Sequence, residues 1–213
     1  SVCDLPLLVD ADTGWGSVLN IARAVKQMIK AGAAGIHLED QVQAKRCGHL
    51  PGKAVVEPAE MVDRLKAALD VRTDNDFLIM ARTDAIAVEG IEKAIERAQT
   101  YAQAGADVIF VEAVDEISQY QQFSKALSVP ILANMTEFGH TPLHHLDELA
   151  KVGVGLVLYP LSAFRAMNQA ALSAYQTIRE LGDQKTILNA MQDRQQLYEL
   201  LNYKAYEAQL ENE

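Results

Sequence analysis

Long apolar runs are missing from this chain of 213 residues. None approaches the roughly 18 consecutive residues that a bilayer span requires, so a membrane-spanning helix is excluded. Cysteine is nearly absent too. Cys3 and Cys47 cannot build a disulfide framework, and a reducing, cytoplasmic compartment is expected. Positive charge is in short supply: 19 Lys and Arg face 29 Asp and Glu, a formal net charge of −10. That balance speaks against nucleic acid or an anionic membrane surface as partner, although a local basic pocket could hold a small anion. Aromatics make up only 6%, yet 49% of residues are hydrophobic, so an aliphatic core is expected. No secretory or transit pattern opens the sequence. It starts at Ser1 without an initiator methionine and runs at once into apolar residues, which reads as a cut chain.

What is present is a regular alternation. Strand-like runs occur at 5–10, 35–39, 77–82, 108–112, 130–134 and 156–161. They are continuous rather than alternating, as strands buried on both faces should be. Between them lie amphipathic helical patterns such as Ile21, Val25, Met28, Ile29 and Met61, Leu65, Ala68, Leu69. Strands alternating with helices imply βα units and a parallel sheet. A weak internal repeat agrees: AGAAGIHLE at 31–39 and AGADVIFVE at 104–112 align residue for residue, with VGVGLVLYP at 152–160 as a looser copy.

About 30 residues per unit is the pace of a (β/α)8 TIM barrel. Six units are visible and the remainder is helical, so the expected fold is α/β, an incomplete barrel lacking its first two units. Residues 1–181 would form this partial barrel and 182–213 a C-terminal helical tail. The alternative, an open doubly wound sheet, lacks a G-x-G-x-x-G loop after its first strand. In a barrel Cys3 falls on the face opposite Cys47, so the two are not expected to pair.

Polar residues crowd the carboxyl ends of five consecutive runs: Asp10 and Asp12, Glu39 and Asp40, Arg82 and Asp84, Glu112, and Asn134. Barrel enzymes carry their catalytic groups at that face. Asp10, Asp12 and Glu39, with Glu112 as a further candidate, are hard oxygen donors suited to Mg²⁺ or Mn²⁺ held partly through water rather than to zinc. Equally, they could pair with Arg82 or Lys45. The long connection between the second and third runs contains Lys45-Arg46-Cys47-Gly48-His49. Flanking cations should make that thiol a ready proton donor, unless it is an exposed spectator. His37 shares a strand face with Glu39 and is expected as a hydrogen-bonded core residue. His140, His144 and His145 lack a helical H-x-x-x-H spacing and are expected at the surface.

VDADTGWG, GIHLEDQ, AKRCGH, IMARTDA, FVEA, LANMTEFG and YPLSAFRAMN occur in order along the chain. Together they resemble the isocitrate lyase/phosphoenolpyruvate mutase superfamily, and the cysteine loop points to its carbon–carbon lyases rather than its phosphonate mutases. The resemblance implies a TIM barrel and a homotetramer whose C-terminal helices swap between subunits. It implies two further N-terminal βα units, and a GFG where GWG stands here. By the same resemblance Asp10, Asp12 and Glu39 are the Mg²⁺ site, with Mn²⁺ as a substitute. Cys47 is catalytic with His49 beside it, and Gly48 offers a backbone N–H to substrate. Lys45, Arg46, Arg82, Glu112, Asn134, Thr136 and Arg165 are substrate-contacting, and Arg194 less securely so.

The implied reaction is a retro-Claisen cleavage of a methyl-bearing hydroxytricarboxylate to pyruvate and succinate. Alternatives are a related lyase acting on dimethylmalate or isocitrate, or a non-catalytic fragment.

Overall fold

The computed structural model describes residues 4–210, so Cys3 lies outside the described residues. Two compact units divide them. One is Pro6–Leu161; the other runs from Ser162 onward, with the N-terminal residues as far as Leu5.

The first unit alternates strands β1 (Leu8–Asp10), β2 (Gly35–Glu39), β3 (Leu78–Thr83), β4 (Val108–Val111), β5 (Ile131–Asn134) and β6 (Val154–Leu158) with helices. These are α1 (Val18–Lys30), α2 (Pro58–Leu69), α3 (Ile86–Glu89), α4 (Ile91–Gln103), α5 (Ile117–Ala126) and α6 (Leu146–Lys151). Each strand pairs in parallel with the next, in the order β1-β2-β3-β4-β5-β6. Crossover helices force that parallel arrangement, since a short turn can only reverse a strand. Among the described residues β1 and β6 do not join. The sheet is therefore a curled, open arc of six βα units, as the strand count predicts.

Burial explains the continuous apolar runs. All residues of β2, β4 and β5 are buried, and alternate positions serve different layers. Ile79, Ala81, Ile109, Val111, Ile131 and Ala133 pack outward into the large core shared with the helices. Met80, Val108, Phe110 and Leu132 form a smaller cluster on the inner face, with Leu8, Leu156 and Leu158 against it. By the same alternation His37, Glu39, Arg82 and Asn134 continue that inner face toward the strand ends. The fold thus delivers a polar layer directly above an apolar one.

Two strands, β1 and β6, differ from expectation by more than one residue. β1 begins at Leu8, because Leu5 and Leu7 are exposed and Pro6 between them has no N–H to give a ladder. β6 starts at Val154, straight after Gly153 at φ 89°, and has ended before Pro160.

In the second unit α7 (Ser162–Leu181) is followed by a 3₁₀ turn (Lys185–Ala190), α8 (Arg194–Leu200) and α9 (Tyr203–Leu210). Asp193 caps α8 by accepting the Gln196 N–H at 2.8 Å. Tyr198 and Tyr203 stack at 4.5 Å between ring centroids.

Candidate active site

The turn after β1 presents two acids. The Asp12 N–H donates to Asp10 Oδ1 at 2.9 Å, and Asp12 itself adopts φ 48°, a left-handed conformation that Asp tolerates. Gly14 follows at φ 95°. A Cβ there would lie 2.3 Å from Ile21 Cγ1, so only glycine lets α1 pack against this turn.

At the end of β2, Glu39 is completely buried, and neither carboxylate oxygen accepts a hydrogen bond. Its neighbours are charges instead: Lys45 Nζ at 3.6 Å and Arg82 Nε at 3.5 Å. Lys45 Nζ also reaches Asp12 Oδ1 at 2.5 Å. Burial pushes the Glu39 carboxyl up to about 7, against the downward pull of Arg82. For Asp12, burial acts upward too, but Lys45 outweighs it and holds the carboxyl below the usual range. The ion-pair reading of these acids thus has its counterpart, since Lys45 and Arg82 lie against them.

The same residues fit a divalent ion. Glu39 offers two buried oxygens without a hydrogen-bond donor, and the position of Lys45 shows that a cation is accommodated between Asp12 and Glu39. Among the described residues no three His, Cys, Asp or Glu side chains close into a direct-ligand cluster. Asp10, Asp12 and Glu39 would therefore hold Mg²⁺ largely through water, as that ion prefers.

Arg82, at the end of β3, organises the middle of the site. It donates from Nε and Nη2 to the two oxygens of Asp84, at 2.9 and 3.1 Å, and sits 5.0 Å above the Phe110 ring. Its Nη2 lies 3.1 Å from Glu112 Oε2. Glu112 also accepts the Ala113 N–H at 2.9 Å and an Asn134 N–H at 3.3 Å, and meets His49 Nε2 at 3.1 Å. Burial acts to raise this carboxyl, yet His49 and Arg82 together hold it at about 2. His49 Nδ1 accepts the His140 N–H at 3.0 Å. In the neutral ring that places the proton on Nε2, facing Glu112. Thr136 is buried, and a Cβ on Gly139 would fall 2.8 Å from its Cγ2 and 2.9 Å from His49 Nδ1. The turn after β5 thereby covers His49.

Gly48 locates the cysteine loop. It is buried, and a Cβ on it would lie 2.5 Å from both Arg82 Nη2 and Glu112 Cγ. Only a glycine allows the backbone so close to that ion pair. Cys47 beside it is a free, exposed thiol. The Lys53 ammonium donates to the Gly48 carbonyl. The Arg46 guanidinium lies over Gly52, within 3.3 Å of where a Cβ would stand. Lys45, Gly48, His49, Arg82, Glu112, Asn134 and Thr136 thus converge with Asp12 and Glu39. Arg165 on α7 and Arg194 at the start of α8 belong to the second unit.

Three residues depart from the sequence reading. Asp40 belongs to the layer between sheet and helices: it accepts from Thr83 Oγ1 at 2.8 Å, the Asp84 N–H at 2.9 Å and Tyr101 OH at 2.9 Å. His37 is buried, but its Nδ1 has no hydrogen-bond partner, and its Nε2 lies 3.6 Å from Asp10. His144 is half-buried, while His140 and His145 are exposed as expected. Gln41 and Lys53, which brace the loop, went unnoticed. Nothing local marks either of them. Asp84 carried a usable signal, lying two residues beyond Arg82.

A model of the phosphoenolpyruvate phosphomutase family matches residues 1–179. The 2-methylisocitrate lyase of Escherichia coli (strain K12) is 61% identical over 212 residues, 99% of this chain and 72% of that protein. Among solved structures, 2,3-dimethylmalate lyase superposes with a TM-score of 0.87 at 32% identity, over 95% of this chain and 68% of the other. Phosphonopyruvate hydrolase in complex with oxalate and Mg²⁺ gives 0.82 at 30% identity, over 97% and 72%.

Proposed function

The chain belongs to the phosphoenolpyruvate phosphomutase family, and we infer that it is a carbon–carbon lyase cleaving 2-methylisocitrate to pyruvate and succinate. One observation carries the reading. Gly48 is wedged against Arg82 and Glu112, which brings the Cys47 loop to the strand ends where acids and cations already converge.

In this reading a general base takes the proton of the substrate's 2-hydroxyl and passes it to solvent, and the carbon–carbon bond breaks. The hydroxyl carbon becomes the ketone of pyruvate, and the bonding electrons pass to the succinate fragment as an aci-carboxylate. Cys47 donates its thiol proton to that carbanion and recovers one from solvent afterwards. Lys45, Arg46 and Arg82 neutralise the tricarboxylate. Gly48 donates its backbone N–H to substrate, and Glu112, Asn134, Thr136 and His49 orient it. Mg²⁺ or Mn²⁺ held by Asp10, Asp12 and Glu39 would act as Lewis acid on the pyruvate half.

No helix among the described residues is long and apolar enough to cross a membrane. A cytoplasmic enzyme of propionate catabolism, in the methylcitrate cycle, fits this chemistry. We also propose a homotetramer in which the tail from residue 182 is exchanged. On α7, Phe164, Met167, Tyr175 and Leu181 are exposed apolar side chains that such packing would cover.

The test is a substrate panel. Pyruvate release from 2-methylisocitrate should exceed both pyruvate release from 2,3-dimethylmalate and glyoxylate release from isocitrate. Preference for either of the latter would reassign the substrate, and no release from any would overturn the lyase reading.

A further inference from the structure

Gln41 stands one residue beyond Asp40, outside every group assigned above, and its side chain is completely buried. Its amide makes two hydrogen bonds to a single residue of the loop. Nε2 donates to the Arg46 carbonyl at 2.8 Å, and Oε1 accepts the Arg46 N–H at 2.9 Å. A side-chain amide satisfying both backbone groups of one residue acts as a neighbouring strand would, and it fixes that peptide's plane as well as its position.

The backbone of Gln41 is itself anchored. Arg64 Nη1 donates to the Gln41 carbonyl at 2.9 Å and to the Glu39 carbonyl at 3.0 Å, and its Nη2 bonds Glu60 at 2.7 Å. Gln41 also forms an antiparallel bridge with Val55, flanked by Val42 N–H to the Ala54 carbonyl at 3.0 Å and Val56 N–H to the Asp40 carbonyl at 2.8 Å. These contacts close the loop at its stem. The Arg46 pair reaches past the stem, to the residue immediately before Cys47. From there Cys47 opens a turn of its own, its carbonyl accepting the Leu50 N–H at 2.9 Å.

Two other tethers of this segment touch the site, Lys45 on Asp12 and His49 against Glu112, while Lys53 and the His140 N–H hold Gly48 and His49 from outside it. The first two must rearrange when a polyanion enters. The neutral Gln41 clamp touches no acid and meets Arg46 only through its backbone, so the Arg46 guanidinium remains free for the substrate.

We propose that Gln41 is the positioning residue of the Cys47 loop, holding the Arg46–Cys47 peptide so that the thiol is aimed at the reacting carbon. This rests on the reading of Cys47 as proton donor. Gln41→Met keeps length and volume but loses both bonds, and Gln41→Glu keeps only the acceptor for the Arg46 N–H.

Two measurements on the whole enzyme decide it. Alkylation of Cys47 by iodoacetamide, followed by mass spectrometry, should quicken severalfold in Gln41→Met. Its kcat for the lyase reaction should fall about tenfold or more, with KM and the affinity for pyruvate plus Mg²⁺ within about twofold, as expected where only transition-state geometry is lost. Gln41→Glu should fall between parent and Gln41→Met. An unchanged alkylation rate, or equal losses in kcat and pyruvate affinity, would overturn the proposal. If both variants misfold, amide exchange in the parent still decides. The Arg46 N–H should exchange about tenfold or more slowly than an unprotected amide, and free exchange there rejects the clamp. If alkylation responds while the parent releases no pyruvate, the clamp stands and the lyase reading falls.

Discussion

Arg82 Nη2 and Glu112 Oε2 face each other at 3.1 Å with both side chains buried, and the same guanidinium holds Asp84 by a two-pronged bond. Removing it would strand Glu112, Asp84 and Glu39 as buried acids. Arg82→Met should therefore cost about 3–5 kcal/mol, the toll of breaking a buried ion pair from one side. Urea denaturation would measure it, and a loss under about 1 kcal/mol would show that water replaces the guanidinium.

The acid limb of the stability curve should carry a mark of Glu112. Its carboxyl is held at about 2, below its ordinary 4.5, so folding favours the ionised form. The associated stability is complete above 4.5 and is lost as pH falls through 2. A displacement of that size corresponds to roughly 3 kcal/mol. Glu112→Gln should flatten this part of the curve, and parallel curves for variant and parent would refute the linkage.

Cys47→Ser keeps the shape of the thiol but replaces it with a far weaker acid. Turnover of 2-methylisocitrate should drop about 10²–10⁴-fold, the usual worth of a positioned proton donor. Pyruvate with Mg²⁺ should still bind, since the acids of β1 and β2 are untouched. A near-parental rate would make the cysteine a spectator and turn attention to His49.

If Asp12 holds a divalent ion through water, as proposed, the ion's affinity should depend on it. Asp12→Asn is expected to weaken Mg²⁺ binding about 10–100-fold, the range found when an outer-shell partner is altered. Calorimetric titration reads this without any turnover. An unaltered affinity would leave Lys45 as the natural partner of Asp12.

Strand order and the inner-face acids were legible because both follow from short-range regularities. A strand buried on both sides must be largely apolar, and its first acid marks its end, as at Glu39 and Glu112. The limits of β1 and β6 escaped because they depend on what pairs alongside, which Leu5 and Leu7 do not reveal. Asp40 misled for a related reason. One residue beyond Glu39 a side chain points to the other face, and only the folded sheet shows Tyr101 and Thr83 waiting there. Gln41 was invisible, because its partner Arg46 is brought near by the return of the chain at Val55.

The two aspartates and the glutamate stand on different elements. Asp10 ends β1 and Asp12 lies in the turn after it, whereas Glu39 ends β2, which is paired on both sides. A divalent ion held by all three would tie that turn to the neighbouring strand. Its binding would then add to the stability of the fold in proportion to its affinity, so the melting temperature should rise with the concentration of the ion.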